Sequence, residues 1–190
     1  MNFLEEKIAK DATVLNNDVL KVDNFINQQI DCNLMKKIAK DFANHFKDKK
    51  INKVVTIETS GISPALLTAI ELNVPLVILK KQQSRILNTN IYQTSVKSFT
   101  KNSVYDLVVS KDFINDNDNI LIIDDFLANG EAISGAIRII RNTKATISGI
   151  GILIEKSFQP GRKKLESHGF NIYSIARIKS LKDNTIEFLK

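Results

Sequence analysis

Asn119–Ala132 reads NILIIDDFLANGEA, and the fold of the chain turns on this stretch. Ile120, Leu121, Ile122 and Ile123 form an unbroken aliphatic run, the pattern of a strand buried on both faces of a sheet. The run ends in Asp124 and Asp125, then passes through Phe126-Leu127-Ala128-Asn129 into a helix predicted over Gly130–Arg141. Acids at the carboxyl end of a buried strand stand where open α/β sheets bind ligands. A turn of small residues before a helix leaves backbone N–H groups free for a phosphate. The stretch therefore suits a ligand that offers a sugar diol to the acids and a terminal phosphate to the turn. An acidic pair after a buried strand also occurs in receiver-like domains, where the acids hold a metal. The pattern alone leaves both readings open.

Working outward, Val54–Ile57, Leu76–Leu79 and Ile150–Ile154 repeat the short buried-strand pattern. Between them lie helices predicted over Ser63–Leu72, with Pro64 in the first turn, and upstream over Asn33–Phe46. The latter puts Leu34, Ile38, Phe42 and Phe46 on one stripe. Strand alternating with helix implies right-handed βαβ units and an α/β fold with a doubly wound, mainly parallel sheet. The expected organisation is a single domain over 1–190 with a core of about 33–155. The two ends, about 1–32 and 156–190, are expected to pack as a small hood over the carboxyl edge of the sheet. Gln82–Ser103 is a long polar segment with Ile91, Tyr92, Val96 and Phe99 interleaved, and reads as a flap or loop.

Composition narrows the classes. The chain has 190 residues, 43% of them hydrophobic, enough for a folded core rather than disorder. Lys and Arg outnumber Asp and Glu 27 to 21, a formal charge of +6 that suits nucleic acid or polyanionic small molecules. No recognition-helix pattern or aromatic RNA-reading motif stands out, which points away from nucleic acid. Cys32 is the only cysteine, and His45 and His168 lie far apart, which argues against a disulfide framework or a His/Cys metal centre. No apolar run approaches the roughly 18 residues of a membrane span, and the N-terminus has no signal-peptide core. A cytoplasmic protein with no membrane partner is expected.

The strand ending ILIIDDF, followed by a short loop of small residues, resembles the phosphoribosyl pyrophosphate (PRPP) signature of type I phosphoribosyltransferases. DDFLANGEA, VLKVDNFINQQID (Val19–Asp31), VVTIETSGI (Val54–Ile62) and GIGILIEKSFQPGR (Gly149–Arg162) together resemble the bacterial xanthine phosphoribosyltransferases. The resemblance spans nearly the whole chain. Where the superfamily loop carries Thr-Gly-Thr-like residues, this one reads Ala-Asn-Gly-Glu-Ala, as in the xanthine enzymes.

The resemblance implies the type I phosphoribosyltransferase fold and transfer of the phosphoribosyl group of PRPP to N9 of xanthine. Asp124 and Asp125 would hold the ribose hydroxyls and favour positive charge developing on the sugar. Ala128, Asn129, Gly130, Glu131 and Ala132 would wrap the 5′-phosphate, Glu131 through its backbone; its carboxylate also fits a first-turn acid favoured by the macrodipole. Ser60 and Gly61, in Glu58–Ile62, would form a second nest for the pyrophosphate, with Lys81 adding charge. Lys80 and Lys81 also read as a solvated pair at a strand end. Mg²⁺ would be carried mainly by PRPP, since the sequence shows no dedicated carboxylate cage and no metal-ligand residues of its own.

For the base, the implied contacts are Leu20, Asn27 and Lys156. The Lys156 ammonium only donates, which suits an oxo-purine and disfavours the amine of adenine. Leu20 would pack on the ring, and Asn27 would donate to the oxygen at C2; the same residues also fit lobe packing and a turn or cap. Phe158 would stack on the base or anchor its loop. The Gln82–Ser103 flap would close over the substrates. The family resemblance implies a homodimer, with Lys81 and the flap serving the neighbouring subunit. The competing readings are a PRPP-sensing regulator and transfer to hypoxanthine, guanine or adenine.

Overall fold

The computed structural model describes residues 1–82, 90–98 and 103–189. Its frame is an eight-stranded sheet in the order β10-β9-β8-β7-β3-β4-β6-β5. Strands β3 (Lys53–Ile57), β4 (Leu76–Gln82), β7 (Asn119–Leu127), β8 (Thr146–Lys156) and β9 (Ile172–Ser180) run parallel. The hairpin of β5 (Ile91–Ser98) and β6 (Ser103–Ser110) and the short β10 (Glu187–Phe188) extend the two edges antiparallel.

The unbroken apolar runs exist because both faces of the sheet are covered. Leu121 and Ile123 point into one core with Leu34, Phe42 and Ala65, from α2 (Cys32–Phe46) and α3 (Ile62–Leu72). Ile120 and Ile122 point into the other with Ile133 and Ile137, from α4 (Glu131–Ile140). The predicted α2 stripe is buried at Leu34, Ile38, Phe42 and Phe46. Two of its rings sit where β8 has no side chains. A Cβ at Gly149 would lie 2.3 Å from Phe46 Cε1, and one at Gly151 would lie 2.9 Å from Phe42 Cε1.

The chain passes from β3 through α3 to β4 on one side and reappears in β7 on the other side of β3. The order of connection therefore reverses between β3 and β7. In open α/β sheets ligands bind at the carboxyl ends of the strands flanking such a point.

Residues 1–32 hold α1 (Phe3–Asp11), the hairpin of β1 (Thr13–Leu15) and β2 (Val19–Lys21), and a π-helical turn over Asp23–Asn27. The signal for α1 is local, because Asn2 accepts from Leu4 N and Glu5 N while Glu5 caps the Asn2 N–H in return. Within 156–190, β9 joins the main sheet, pairing with β8 from Ile150↔Ile172 to Lys156↔Ile178. The two ends do meet, at Asn184 N donating to Asn17 Oδ1 and Asn2 Nδ2 donating to Ile175 O. Within the expected flap, β5 pairs with β6 from Ile91↔Ser110 to Ser98↔Ser103, and Val96 is buried. Arg138 of α4 pins the hairpin by donating to Thr94 Oγ1 and to Ser95 O. The rest of that expected flap, residues 83–89 and 99–102, lies outside the described residues.

Candidate active site

Two turns face each other across the switch point. One follows β3 and spans Glu58–Gly61; the other follows β7 and spans Ala128–Gly130. Each opens a helix whose N-cap is glycine, Gly61 for α3 and Gly130 for α4, with no capping side chain. By contrast α1 and α2 are capped by Asn2 and Asp31. At the two site helices the first-turn N–H groups of Ser63 and of Glu131–Ala132 are thus left without a side-chain acceptor, the arrangement that binds phosphate, while Ile62 N donates to Thr59 O. Gly130 takes φ +78, a left-handed conformation that favours glycine.

Asp124 and Asp125 sit between the turns. Asp124 is buried, and its Oδ1 accepts from Asp125 N at 3.0 Å. A Cβ at Gly61 would lie 2.9 Å from that Oδ1 and 2.5 Å from Thr56 Oγ1, so only glycine lets the first turn lie against the acid. Burial pushes the Asp124 carboxyl well above its ordinary value, the neighbouring Asp125 charge adds to this, and the charge of Lys81 pulls it back. Burial also raises Asp125, against hydrogen bonds that favour its charged form. Two acids held this way at a sheet edge suit hydroxyl groups and a cationic centre.

Ser60 and Gly61 lie in the first turn as expected. Lys81 is exposed at the end of β4; its N–H donates to Glu58 Oε1 at 2.6 Å, and its ammonium stands 5.2 Å from the centre of the Tyr105 ring. Tyr105, on β6, had no signal in the sequence, since only the hairpin brings it here. Burial and the charges of Asp124 and Glu131 raise its phenol. Ala128 and Asn129 are half-buried in the second turn, with Ala132 in the turn of helix that follows. The Glu131 carboxylate pairs with Lys164 Nζ at 2.5 Å, turned toward α5 (Gly161–Glu166).

The second turn rests on α5. Gly161 N donates to Ala128 O at 2.9 Å, and a Cβ at Gly161 would lie 2.3 Å from that oxygen and 3.0 Å from Gly130 N. The approach is fixed by Glu155, which is buried at the end of β8. It accepts from Arg162 Nε and Nη2, Ser157 Oγ and Ser174 Oγ. Burial opposes the charged form of Glu155, but Arg162 and the two hydroxyls outweigh it and lower its pKa to about 2.

Beside this turn opens a cavity of about 560 Å³. Leu20, Phe126, Ala128, Asn129, Lys156 and Gln159 line it, together with Asp18 and Val19 of the N-terminal hairpin. Leu20 and Lys156 are therefore brought together. Lys156 Nζ donates to Asp18 O and lies 3.8 Å from Asp18 Oδ1. Asn27 is not among the lining residues. It is exposed at the end of its π-helical turn and donates to Asp23 Oδ1 at 3.4 Å. The aromatic wall is Phe126, whereas Phe158 is 44% exposed.

Comparison with known proteins agrees with this arrangement. The phosphoribosyl transferase domain model matches residues 22–181. The chain is 56% identical over its full length to xanthine phosphoribosyltransferase of Agathobacter rectalis, covering 99% of that protein. It is 55% identical over the full length of both chains to xanthine phosphoribosyltransferase 1 of Clostridium botulinum. Among solved structures, adenine phosphoribosyltransferase of Giardia lamblia complexed with 9-deazaadenine superposes with a TM-score of 0.76 at 20% identity, covering 93% of this chain and 98% of that one. Adenine phosphoribosyltransferase of Thermoanaerobacter pseudethanolicus gives 0.74 at 19%, covering 92% and 99%; these likenesses establish the fold. With its two glycine-capped turns, its buried acid pair and relatives matched end to end, the chain belongs to the phosphoribosyltransferase family, in the group of the xanthine phosphoribosyltransferases.

Proposed function

We propose that this chain transfers the 5-phosphoribosyl group of PRPP to N9 of xanthine, giving xanthosine 5′-monophosphate and pyrophosphate in purine salvage. One observation carries the reading: a single cavity sets Leu20 and Lys156 against Ala128 and Asn129 of the phosphate turn. A base and the 5′-phosphate of one nucleotide fit such a continuous space. Names of relatives at 48–56% full-length identity supply the choice of xanthine.

In this reading the 5′-phosphate lies on Ala128–Ala132, and the diphosphate on Ser60, Gly61 and the Lys81 charge. The C1–O bond to the diphosphate breaks as N9 bonds to C1, through a sugar with oxocarbenium character, and the imidazole proton of the base leaves to the released diphosphate or to water. Asp124 and Asp125 hold the ribose hydroxyls, and their negative charge lowers the energy of that sugar. The work of the site is positioning and charge placement, with no nucleophile from the protein.

Mg²⁺ fits as an ion that arrives on PRPP. Asp124 and Asp125 present carboxylate oxygens at the sheet edge, the hard donors that Mg²⁺ takes alongside substrate phosphates and waters. Bound with PRPP, Mg²⁺ would supply positive charge to the diphosphate.

Lys156 is proposed to donate to the purine oxo group, and Leu20 to pack on the ring. Asn27 as the donor to the C2 oxygen rests on the family resemblance alone, since it does not line the cavity. A homodimer is proposed as well: Leu66 and Ile70, large apolar residues of α3, are 46% and 63% exposed. No helix among the described residues is long and apolar enough to cross a membrane, and a cytoplasmic location is proposed. The test is chromatography of a mixture of chain, PRPP, Mg²⁺ and xanthine. Xanthosine 5′-monophosphate is expected, and Asp125→Asn is expected to lose most of it. PRPP binding without any product would favour the regulator instead.

A further inference from the structure

We propose that Gln159 is a second reader of the base, whose Oε1 accepts the N1–H that flanks the oxo group taken by Lys156. The inference rests on the function proposed above and adds a residue to its specificity.

Gln159 lines the base cavity one turn beyond Lys156, with its N–H donating to Lys156 O at 2.9 Å, so the two side chains share one wall. Its amide nitrogen donates to Asp18 Oδ1 at 3.2 Å. A carboxylate only accepts, so Asp18 fixes which end of the Gln159 carboxamide is nitrogen and which is oxygen. The remaining end, Oε1, is buried and has no hydrogen-bond partner among the described residues. A buried acceptor left unpaired is unfavourable, and in a native structure it calls for a partner. At the wall of a ligand cavity a bound ligand supplies one after a small rotation of the carboxamide.

The chemistry of that partner follows from the pair. Lys156 offers a donor and Gln159 an acceptor side by side. A purine with an oxo group at C6 offers the complement, an acceptor beside the N1–H donor. Xanthine, hypoxanthine and guanine carry this edge. Adenine carries the reverse, an amine beside a bare N1, and would leave both side chains unmatched. Asp18, which holds Gln159 and also accepts from Lys156, is a positioning residue for both.

The test compares the wild-type chain with Gln159→Met, which keeps length and packing but removes the acceptor. Steady-state rates are measured with melting temperatures alongside. Gln159→Met is expected to raise KM for xanthine about tenfold or more, with KM for PRPP and kcat within about twofold. A second measurement needs no variant. As inhibitors of the wild-type chain, 1-methylxanthine, whose N1–H is blocked, is expected to bind at least about tenfold more weakly than 3-methylxanthine.

A Gln159→Met variant with unchanged KM for xanthine, or equal binding of the two methylxanthines, would overturn the assignment. A wild-type chain that makes no nucleotide from xanthine would sink the proposed function, and this inference with it; turnover of xanthine with equal methylxanthine binding sinks only Gln159.

Discussion

Asp124 illustrates how a residue of the candidate site acts against stability. Its carboxyl is raised by burial and by Asp125, so the folded chain binds a proton more tightly than the unfolded one. Stability then falls as pH rises above the ordinary value of 3.8. Asp124→Asn keeps the oxygen that accepts from Asp125 N. It is expected to raise Tm at pH 7 by a few degrees while removing most of the activity, which calorimetry and a rate assay check together. Glu155 behaves in the opposite sense. Its folded pKa of about 2 lies below the ordinary 4.5, so its contribution of about 3 kcal/mol is present above 4.5 and is lost as pH falls toward 2. Glu155→Gln is expected to lose stability at pH 7 and to flatten the acid limb of a urea-stability profile between pH 5 and 2. The two acids differ in how legible they are. Asp124 and Asp125 stand out in sequence because a buried strand ends on them. Glu155 sits in a segment that the sequence marks as distinctive, yet its role depends on Ser174, which reaches it only through the pairing of β8 with β9.

At the scale of elements, α5 is a prop for the phosphate turn although it follows that turn by thirty residues. The contact is backbone on backbone, so a methyl at Gly161 has no flexible neighbour to displace: Ala128 O and Gly130 N must move. Gly161→Ala is expected to raise KM for PRPP about tenfold or more and to leave the order of base preference unchanged, as initial rates at varied PRPP would show. Such a dependence is invisible in sequence, because it is a distance between two turns. The four buried strands and three predicted helices were legible, since their periodicities follow directly from burial on one or two faces. Elements governed by other rules were read less well. α1 announces itself only through the reciprocal cap of Asn2 and Glu5, and β9 carries polar residues such as Ser174 and Arg177 inside a core strand because Glu155 binds both. The β5–β6 hairpin is polar on its open face and resembles a loop until Gly135 of α4 is seen to admit Val96 and Leu107.

At the scale of the molecule, topology does the assembling. Reversing the connection between β3 and β7 brings Gly61 to Asp124 across 63 positions of sequence, and the N-terminal hairpin reaches over to Lys156 across 138. The net charge of +6 accords with a substrate that carries several phosphates, and binding of PRPP is expected to weaken as salt is raised from about 50 to 200 mM. Light scattering is expected to give the mass of two chains, with Ile70→Glu shifting it toward one. The central claim is that one cavity joins an oxo-purine to PRPP. Its most direct test is nucleotide formation from PRPP and Mg²⁺ with xanthine, hypoxanthine, guanine and adenine in separate reactions, under identical conditions. The account predicts that xanthine is used best by a wide margin and adenine least. Preferential use of adenine, or no nucleotide from any of the four, would contradict it.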